Sequence, residues 1–150
     1  FSQQLKVRGI QVVWEVQESL PRINADPSRL EQVFINLLLN ARDAIESRCG
    51  NQPTGDRDGE KTIRLWTGIE DPWVACRVCD TGTGIPDHLV EKIFEPFFTT
   101  KEVGKGTGLG LSISYGIVKE CGGTIEAKPN PPHGTCFILR FPLLTEPSHE

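Results

Sequence analysis

Two asparagines, Asn36 and Asn40, lie four residues apart in a segment with helical periodicity. At that spacing both side chains fall on one face of a helix, and Asp43 lies near the same face. Asparagine is a poor helix former, so the pair needs an explanation. Either a carboxamide oxygen completes the oxygen shell of a Mg²⁺ ion already bound to phosphates, or both side chains hydrogen-bond to neighbouring loops.

A second polar segment, residues 80–86 (DTGTGIP), follows directly after an apolar run. Its glycines, Gly82 and Gly84, allow the backbone to approach a flat ligand or to turn sharply. The carboxylate of Asp80, at the end of a strand, can accept a hydrogen bond from an exocyclic amine such as that of adenine. A turn that binds nothing is the alternative, because D-x-G-x-G alone has low specificity.

A third segment, residues 104–112 (GKGTGLGLS), is rich in glycine and leads into a helix. Backbone N–H groups in such a loop, together with the positive end of the helix, suit a polyphosphate. The segment matches neither the P-loop pattern nor a strand-preceded G-x-G-x-x-G, so both of those readings are excluded. We expect a mobile lid here, with Phe94, Phe97 and Phe98 packed at its base.

Two long helices and five strands must position these segments. Asp26 and Pro27 predict a helix start, and the apolar spacing extends that helix to about Ser47. The other expected elements are strands over Ile10–Val16, Thr62–Thr67, Val74–Cys79, Thr124–Ala127 and Thr135–Phe141, a short helix near His88–Ile93 and a long helix over Gly108–Cys121. This order predicts an α/β (α+β) two-layer sandwich, with helices on one face of a mixed sheet.

Composition indicates one globular domain. The 150 residues are 37% hydrophobic and 24% charged, and the net charge of -4 with scattered basic residues argues against nucleic acid as a partner. No apolar run is long enough to span a bilayer. We expect the domain to cover residues 1–144, with 145–150 as a tail or linker. Because the chain contains no Met, we expect it to be excised from a longer protein.

The five cysteines do not resemble a disulfide framework, because their number is odd. Cys76 and Cys79 have the spacing of metal ligands, but there is no second pair and no nearby histidine. We expect inert thiols in a reducing cytoplasm, with a metal or redox site as the alternative.

Taken together and in this order, the segments resemble the ATP-binding catalytic domain of two-component sensor histidine kinases, which belongs to the Bergerat-fold (GHKL) superfamily. The resemblance covers roughly residues 9–142. Residues 26–45 are similar to the N box, 80–86 to the first glycine box, 93–98 (IFEPFF) to the F box and 104–112 to the second glycine box. Gly134 and Thr135 resemble the motif that closes the adenine pocket. The resemblance implies a mostly antiparallel sheet.

The resemblance also implies roles for individual residues, with ATP and Mg²⁺ as cofactors. Asn40 would coordinate Mg²⁺, Asn36 would support the phosphate end, and Asp80 would accept from the adenine amine. Lys101 and Lys105 are candidates for contacts to the γ-phosphate. The implied catalytic set is Asn36, Asn40, Lys101 and Lys105, and the implied nucleotide-binding set is Asn36, Asn40, Asp43, Asp80, Gly82, Gly84, Ile85, Gly104, Gly106, Thr107, Gly108, Leu109, Gly110 and Thr135.

The position of Asn36 separates chemistries within the superfamily. Relatives that hydrolyse ATP carry a glutamate there as a base for water, and asparagine cannot take a proton. The resemblance therefore implies transfer of the phosphoryl group to a histidine on a separate helical dimerisation domain, with a response regulator downstream. We expect a cytoplasmic location, no direct membrane contact by this domain and a parent protein that could be membrane-anchored. The pattern departs from the family at Asp43, Ala44 and Thr81, where a basic residue, an aromatic and an asparagine are more usual.

Other functions are consistent with parts of this pattern. The alternatives are an ATP-binding regulatory module without transfer activity (a pseudokinase), a serine kinase that regulates a sigma factor, and a globular domain with glycine-rich turns. The three histidines, at positions 88, 133 and 149, lack the flanking residues of a phospho-acceptor motif. We therefore expect this chain to bind ATP but not to phosphorylate itself.

Overall fold

The computed structural model describes residues 9–16, 26–49, 61–70, 72–95, 110–131 and 133–143. Within them the chain forms strand β1 (Gln11–Glu15), helix α1 (Pro27–Cys49), strands β2 (Thr62–Glu70) and β3 (Trp73–Asp80), helix α2 (Gly110–Glu120) and strands β4 (Thr124–Pro129) and β5 (Thr135–Pro142). A single 3-10 turn lies at Asp87–Leu89. The expected two-layer sandwich is confirmed.

The five strands form one mixed sheet in the order β1-β2-β3-β5-β4. Strand β1 runs parallel to β2, and the remaining neighbours are antiparallel. The last residue of β3, Asp80, pairs with Ile63 of β2, and the first residues of β5 lie beside the end of β3. The central position of β3 therefore brings its last residue, Asp80, next to the β4–β5 hairpin, which is distant in sequence.

Helix α1 begins as its sequence predicts. The carboxylate oxygen Oδ1 of Asp26 accepts a hydrogen bond from the backbone N–H of Ser28 at 3.0 Å, which satisfies one of the free donors of the first turn. The helix then buries a stripe of apolar residues at four-residue spacing against the sheet. This stripe comprises Val33, Leu37, Ala41 and Ile45.

Helix α2 completes the second layer and packs against α1. Its buried residues include Ser114, Ile117 and Val118. An ion pair between Arg29 and Glu120 joins the start of α1 to the end of α2 at 2.6 Å, so the two helices are antiparallel. Gly122 follows in the left-handed region, with φ of 77°, a conformation in which helices commonly end.

Some element bounds differ from the prediction. Strand β2 extends to Glu70 and β4 to Pro129, because pairing with neighbouring strands supports residues whose own pattern is weak. In place of a short helix over His88–Ile93, a 3-10 turn is followed by further turns. Its bonds reach mainly three residues back, as from Lys92 N to Leu89 O at 2.9 Å, and an α-helix requires a span of four. The expectations for residues 1–8 and for the loop after Cys49 lie outside the described residues.

The expectation of inert thiols is wrong for one pair. The structure joins Cys79 of β3 to Cys136 of β5 by a disulfide across 57 positions of sequence. Cys76 belongs to the buried core, and the odd separation places it on the opposite face of β3 from Cys79. Cys76 and Cys79 therefore cannot jointly bind a metal. Neither helix in the described part of the chain has the length and apolarity needed to cross a bilayer.

Candidate nucleotide-binding site

Asp80 lies at the end of β3 and is only 2% exposed. Its Oδ1 accepts hydrogen bonds from the backbone N–H of Gly82 at 2.8 Å and from that of Thr135 at 3.2 Å. No described residue donates a hydrogen bond to Oδ2. One oxygen of this buried carboxylate is thus held by the protein, and the other is available to a ligand that can donate.

Burial raises the pKa of the Asp80 carboxyl from 3.8 to about 6. The two backbone N–H groups oppose that shift, because they stabilise the charged form. At neutral pH the group is therefore mainly ionised and acts as an acceptor only. A buried carboxylate with a free oxygen is a strong acceptor for an amine.

The glycines of residues 80–84 bring this segment against helix α1. A Cβ atom on Gly82 would lie 2.5 Å from Cβ of Ala44 and 2.6 Å from its backbone carbonyl carbon. The backbone N–H of Thr83 donates to the carbonyl oxygen of Ala44 at 3.2 Å. Gly84 adopts a left-handed φ of 80°. Close approach at Gly82 and a positive φ at Gly84 both require glycine.

The turn between β4 and β5 closes this end of the site. Gly134 has φ of 113°, and a Cβ there would collide with the carbonyl oxygen of Asp80. The next residue, Thr135, is 3% exposed and donates to Asp80 as described. The side-chain amide of Asn130 donates to the same carbonyl oxygen of Asp80 at 2.7 Å. The resemblance identified Gly134 and Thr135 but missed Asn130, whose contact spans 50 positions of sequence.

The asparagines of α1 extend the site away from Asp80. Asn36, Asn40 and Ala44 follow one another at four-residue spacing, so they form a stripe about 12 Å long on one side of the helix. Ala44 meets Gly82 at one end of this stripe. At the other end the side-chain amide of Asn36 donates to Oγ of Ser114 in α2 at 3.3 Å. The structure thus supports in part the hydrogen-bonding explanation for Asn36, with a neighbouring helix as the partner.

Asp43 is half-buried and lies beside this stripe. Its Oδ1 accepts from Nε of Arg42 at 3.1 Å and from Nη2 at 3.0 Å. The guanidinium of Arg42 therefore balances the charge of Asp43 beside Ala44.

Phe94 packs against the core between α2 and β5. Its ring lies 5.5 Å from that of Tyr115 in α2 and 6.4 Å from that of Phe137 in β5, measured between ring centroids. Ile85 is half-buried and packs against the same core. Gly110 is the first residue of α2. The other residues predicted for the lid lie outside the described residues: Phe97, Phe98, Lys101, Gly104, Lys105, Gly106, Thr107, Gly108 and Leu109.

Residues 25–145 match the family model described as histidine kinase-, DNA gyrase B-, and HSP90-like ATPase. The chain therefore belongs to this ATPase family, whose domain binds ATP. The sensor kinase CckA of Brucella abortus is 48% identical over 130 residues, which are 83% of this chain. The chain spans only 13% of the length of CckA.

Solved structures share the fold. The catalytic domain of histidine kinase ThkA has a TM-score of 0.76 and 36% identity, over 95% of this chain and 86% of that one. ThkA in complex with the response regulator protein TrrA has a TM-score of 0.72 and 34% sequence identity, over 96% of this chain and 37% of that one. Full-length ShkA in complex with AMPPNP has a TM-score of 0.77 and 29% sequence identity, over 97% of this chain and 28% of that one. The chain is therefore similar to the ATP-binding domains of sensor histidine kinases.

Proposed function

We propose that this chain positions ATP for transfer of its γ-phosphoryl group to a histidine on a helical dimerisation domain of the same protein. The observation that carries the proposal is that the two ends of the site present different polar groups. A buried carboxylate with one free oxygen lies at one end, and two carboxamides extend along α1 from the other side of Ala44. This layout suits a nucleotide with its base at Asp80 and its phosphates near Asn40 and Asn36.

At the base end, Asp80 would accept a hydrogen bond through Oδ2 from the exocyclic amine of adenine. The N–H groups of Gly82 and Thr135 already occupy Oδ1, so the carboxylate does not need to reorient when the ligand binds. Such preorganisation lowers the entropic cost of binding. Gly82, Gly84 and Ile85 would line the base, because they follow Asp80 directly in the segment that packs against α1.

At the phosphate end, the donor set fits a magnesium ion that the nucleotide brings with it. The described residues contain no cluster of three carboxylate, histidine or cysteine groups that could hold a metal alone. The carboxamide oxygen of Asn40 would add one ligand to an ion held mainly by phosphates and water. When bound, Mg²⁺ neutralises charge on the transferring phosphoryl group.

The residues of α1 favour transfer over hydrolysis. Asn36 stands four residues before Asn40, and its amide is bonded to Ser114, so this position offers no base for a water molecule. The chain would therefore contribute positioning and charge neutralisation, to which Lys101 and Lys105 would add contacts to the γ-phosphate. Gly104, Gly106, Thr107, Gly108, Leu109 and Gly110 would enclose the phosphates as a lid.

The partners follow from the same proposal. The phosphoryl acceptor would be the histidine-bearing dimerisation domain, and the receiver domain of a response regulator would take the group from that histidine. ThkA, whose fold this chain shares, has been crystallised with a response regulator protein. We place this domain in the cytoplasm, where ATP is available, with any membrane anchor elsewhere in the parent protein.

Calorimetric titration with a non-hydrolysable ATP analogue, with and without Mg²⁺, tests the proposal. We expect one equivalent to bind, more tightly with Mg²⁺. Asn40→Ala should keep binding without Mg²⁺ and lose the gain that the metal gives. Glu31→Ala is the control, since Glu31 is an exposed residue of the same helix that lies off the stripe of Asn36, Asn40 and Ala44. Absence of binding by the unmodified chain, or an unchanged metal effect in Asn40→Ala, would contradict the proposal.

A further inference from the structure

Asn130 makes two hydrogen bonds at the closing turn, and neither the family motifs nor the predicted site include it. It is half-buried and directly follows β4. Its side-chain amide donates to the backbone carbonyl of Asp80 at 2.7 Å. Its own backbone N–H donates to the carbonyl oxygen of Gly134 at 3.1 Å. Asn130 therefore ties the end of β3 to the turn that leads into β5.

This connection matters because the turn leads into Thr135, whose backbone N–H donates a hydrogen bond to the Asp80 carboxylate. Gly134 packs so closely on the carbonyl of Asp80 that no Cβ fits there. Thr135, the next residue, donates its N–H to Oδ1 of Asp80 at 3.2 Å. The length of that bond depends on how closely the turn lies against β3, and the shorter bond from Asn130 fixes the distance at the other end of the turn.

We propose that Asn130 is a positioning residue for base recognition. By holding Gly134 close to Asp80, it keeps the Thr135 N–H on Oδ1 and so leaves Oδ2 directed to the exocyclic amine of the base. This inference rests on the proposed binding of ATP at Asp80. It adds a specificity-determining contact from a hairpin that itself need not touch the amine.

Two consequences separate this role from simple support of the fold. If the turn loosens, the carboxylate gains freedom to rotate, and the preference for a base with an amine over one with an oxo group falls. The loss of a donor on Oδ1 also raises the pKa of Asp80 further, because the Thr135 N–H favours the charged form. Burial raises the pKa of Asp80, and the backbone N–H groups of Gly82 and Thr135 lower it. The turn's own titratable residue, His133, is exposed.

The test compares dissociation constants of the 150-residue chain for ATP and for inosine triphosphate, in which an oxo group replaces the amine. Asn130→Ala removes the donor, and Asn130→Asp keeps the shape while replacing the amide with an acceptor. We expect both variants to lose about five- to tenfold of the preference for ATP, as for one net hydrogen bond. The pH at which half of the binding is lost should move upward in both. Lys128→Ala, an exposed position on the same hairpin, should behave as the unmodified chain.

The outcomes distinguish this inference from the proposed function. If the unmodified chain binds neither nucleotide, the proposed function fails and the role of Asn130 fails with it. If it prefers ATP, but both variants retain its preference and its pH midpoint, Asn130 has only a structural role, whatever the variants do to the melting temperature. A reduced preference with an upward pH shift supports positioning.

Discussion

At the scale of single residues, burial of the charged Asp80 side chain costs the folded chain free energy of desolvation. A carboxylate that is 2% exposed loses most of its hydration, and two backbone N–H groups compensate for only part of that loss. Replacing it with an amide would remove the charge without leaving a cavity. The side chain should therefore contribute more to ligand binding than to the stability of the folded chain.

We expect Asp80→Asn to weaken ATP binding by about 10- to 100-fold, the cost of one unsatisfied buried group. An amide that keeps its oxygen toward Gly82 and Thr135 presents N–H₂ to the ligand amine, so two donors face each other. Calorimetry measures the affinity, and thermal unfolding should show little loss of stability. Asp87→Asn removes an exposed charge and serves as the control. Wild-type affinity in Asp80→Asn would remove Asp80 from base recognition.

The raised pKa of Asp80 also predicts a pH dependence of stability. Between its ordinary pKa of 3.8 and its folded pKa of about 6, the folded chain binds more protons at this group than the unfolded chain does. The contribution of Asp80 to the free energy of unfolding is thus fully present below pH 4 and is lost as pH rises through 6, by up to about 3 kcal/mol. Denaturant unfolding from pH 4 to 7.5 should show Asp80→Asn gaining stability relative to wild type over that range. A constant difference would contradict the raised pKa.

At the scale of elements, the site depends on how residues 80–84 meet helix α1. Gly82 and Ala44 lie in direct backbone contact, and Thr83 donates to the helix at the same place. This contact sets the distance between the buried carboxylate and the asparagine stripe. Residues 80–84 and the asparagines of α1 are thus joined at Ala44, although Gly82 and Ala44 are nearly 40 positions apart in sequence.

We expect Gly82→Ala to destabilise the fold by about 1–3 kcal/mol, as overpacking does, and to impair nucleotide binding. Adding Ala44→Gly should not restore binding, because the new Cβ would still meet the backbone carbonyl carbon and oxygen of residue 44 at 2.6 and 2.8 Å. Gly116→Ala is the matched control. Nothing lies within 4 Å of that position in α2, so the change should stabilise the chain by up to about 1 kcal/mol. Full recovery in the double variant would show that the side chain of Ala44 alone sets the distance.

The same elements show what could be predicted from the sequence. Helix α1 was predictable because its cap at Asp26 and its apolar stripe are local signals. The bond from Asn130 to Asp80 and the pairing of Cys79 with Cys136 were not, because each joins segments 50 or more positions apart. The motifs named Asp80 and Thr135 separately, and only the sheet register shows that the second residue fixes one oxygen of the first.

At the scale of the whole molecule, the chain supplies one half of the proposed reaction. Its described elements form the proposed nucleotide site, with the Asp80 carboxylate at the proposed base end and the carboxamides of α1 at the proposed phosphate end. Of the three histidines, His88 and His133 are exposed, and neither lies on α1 or α2. No residue proposed for the site is a histidine, which is consistent with the proposal that the phosphoryl acceptor is a histidine of another domain.

We therefore expect phosphoryl transfer to need a second component. Incubated with γ-labelled ATP and Mg²⁺, the 150-residue chain should bind nucleotide but acquire no acid-labile phosphate. Adding the histidine-bearing dimerisation domain of the same parent protein should produce label on that domain, because binding then places its imidazole in line with the γ-phosphate. Asn40→Ala should abolish the labelling, and Glu31→Ala should leave it unchanged. Binding without labelling of the added domain would instead favour an ATP-binding regulatory module, in which nucleotide changes the contacts of the domain and no group is transferred.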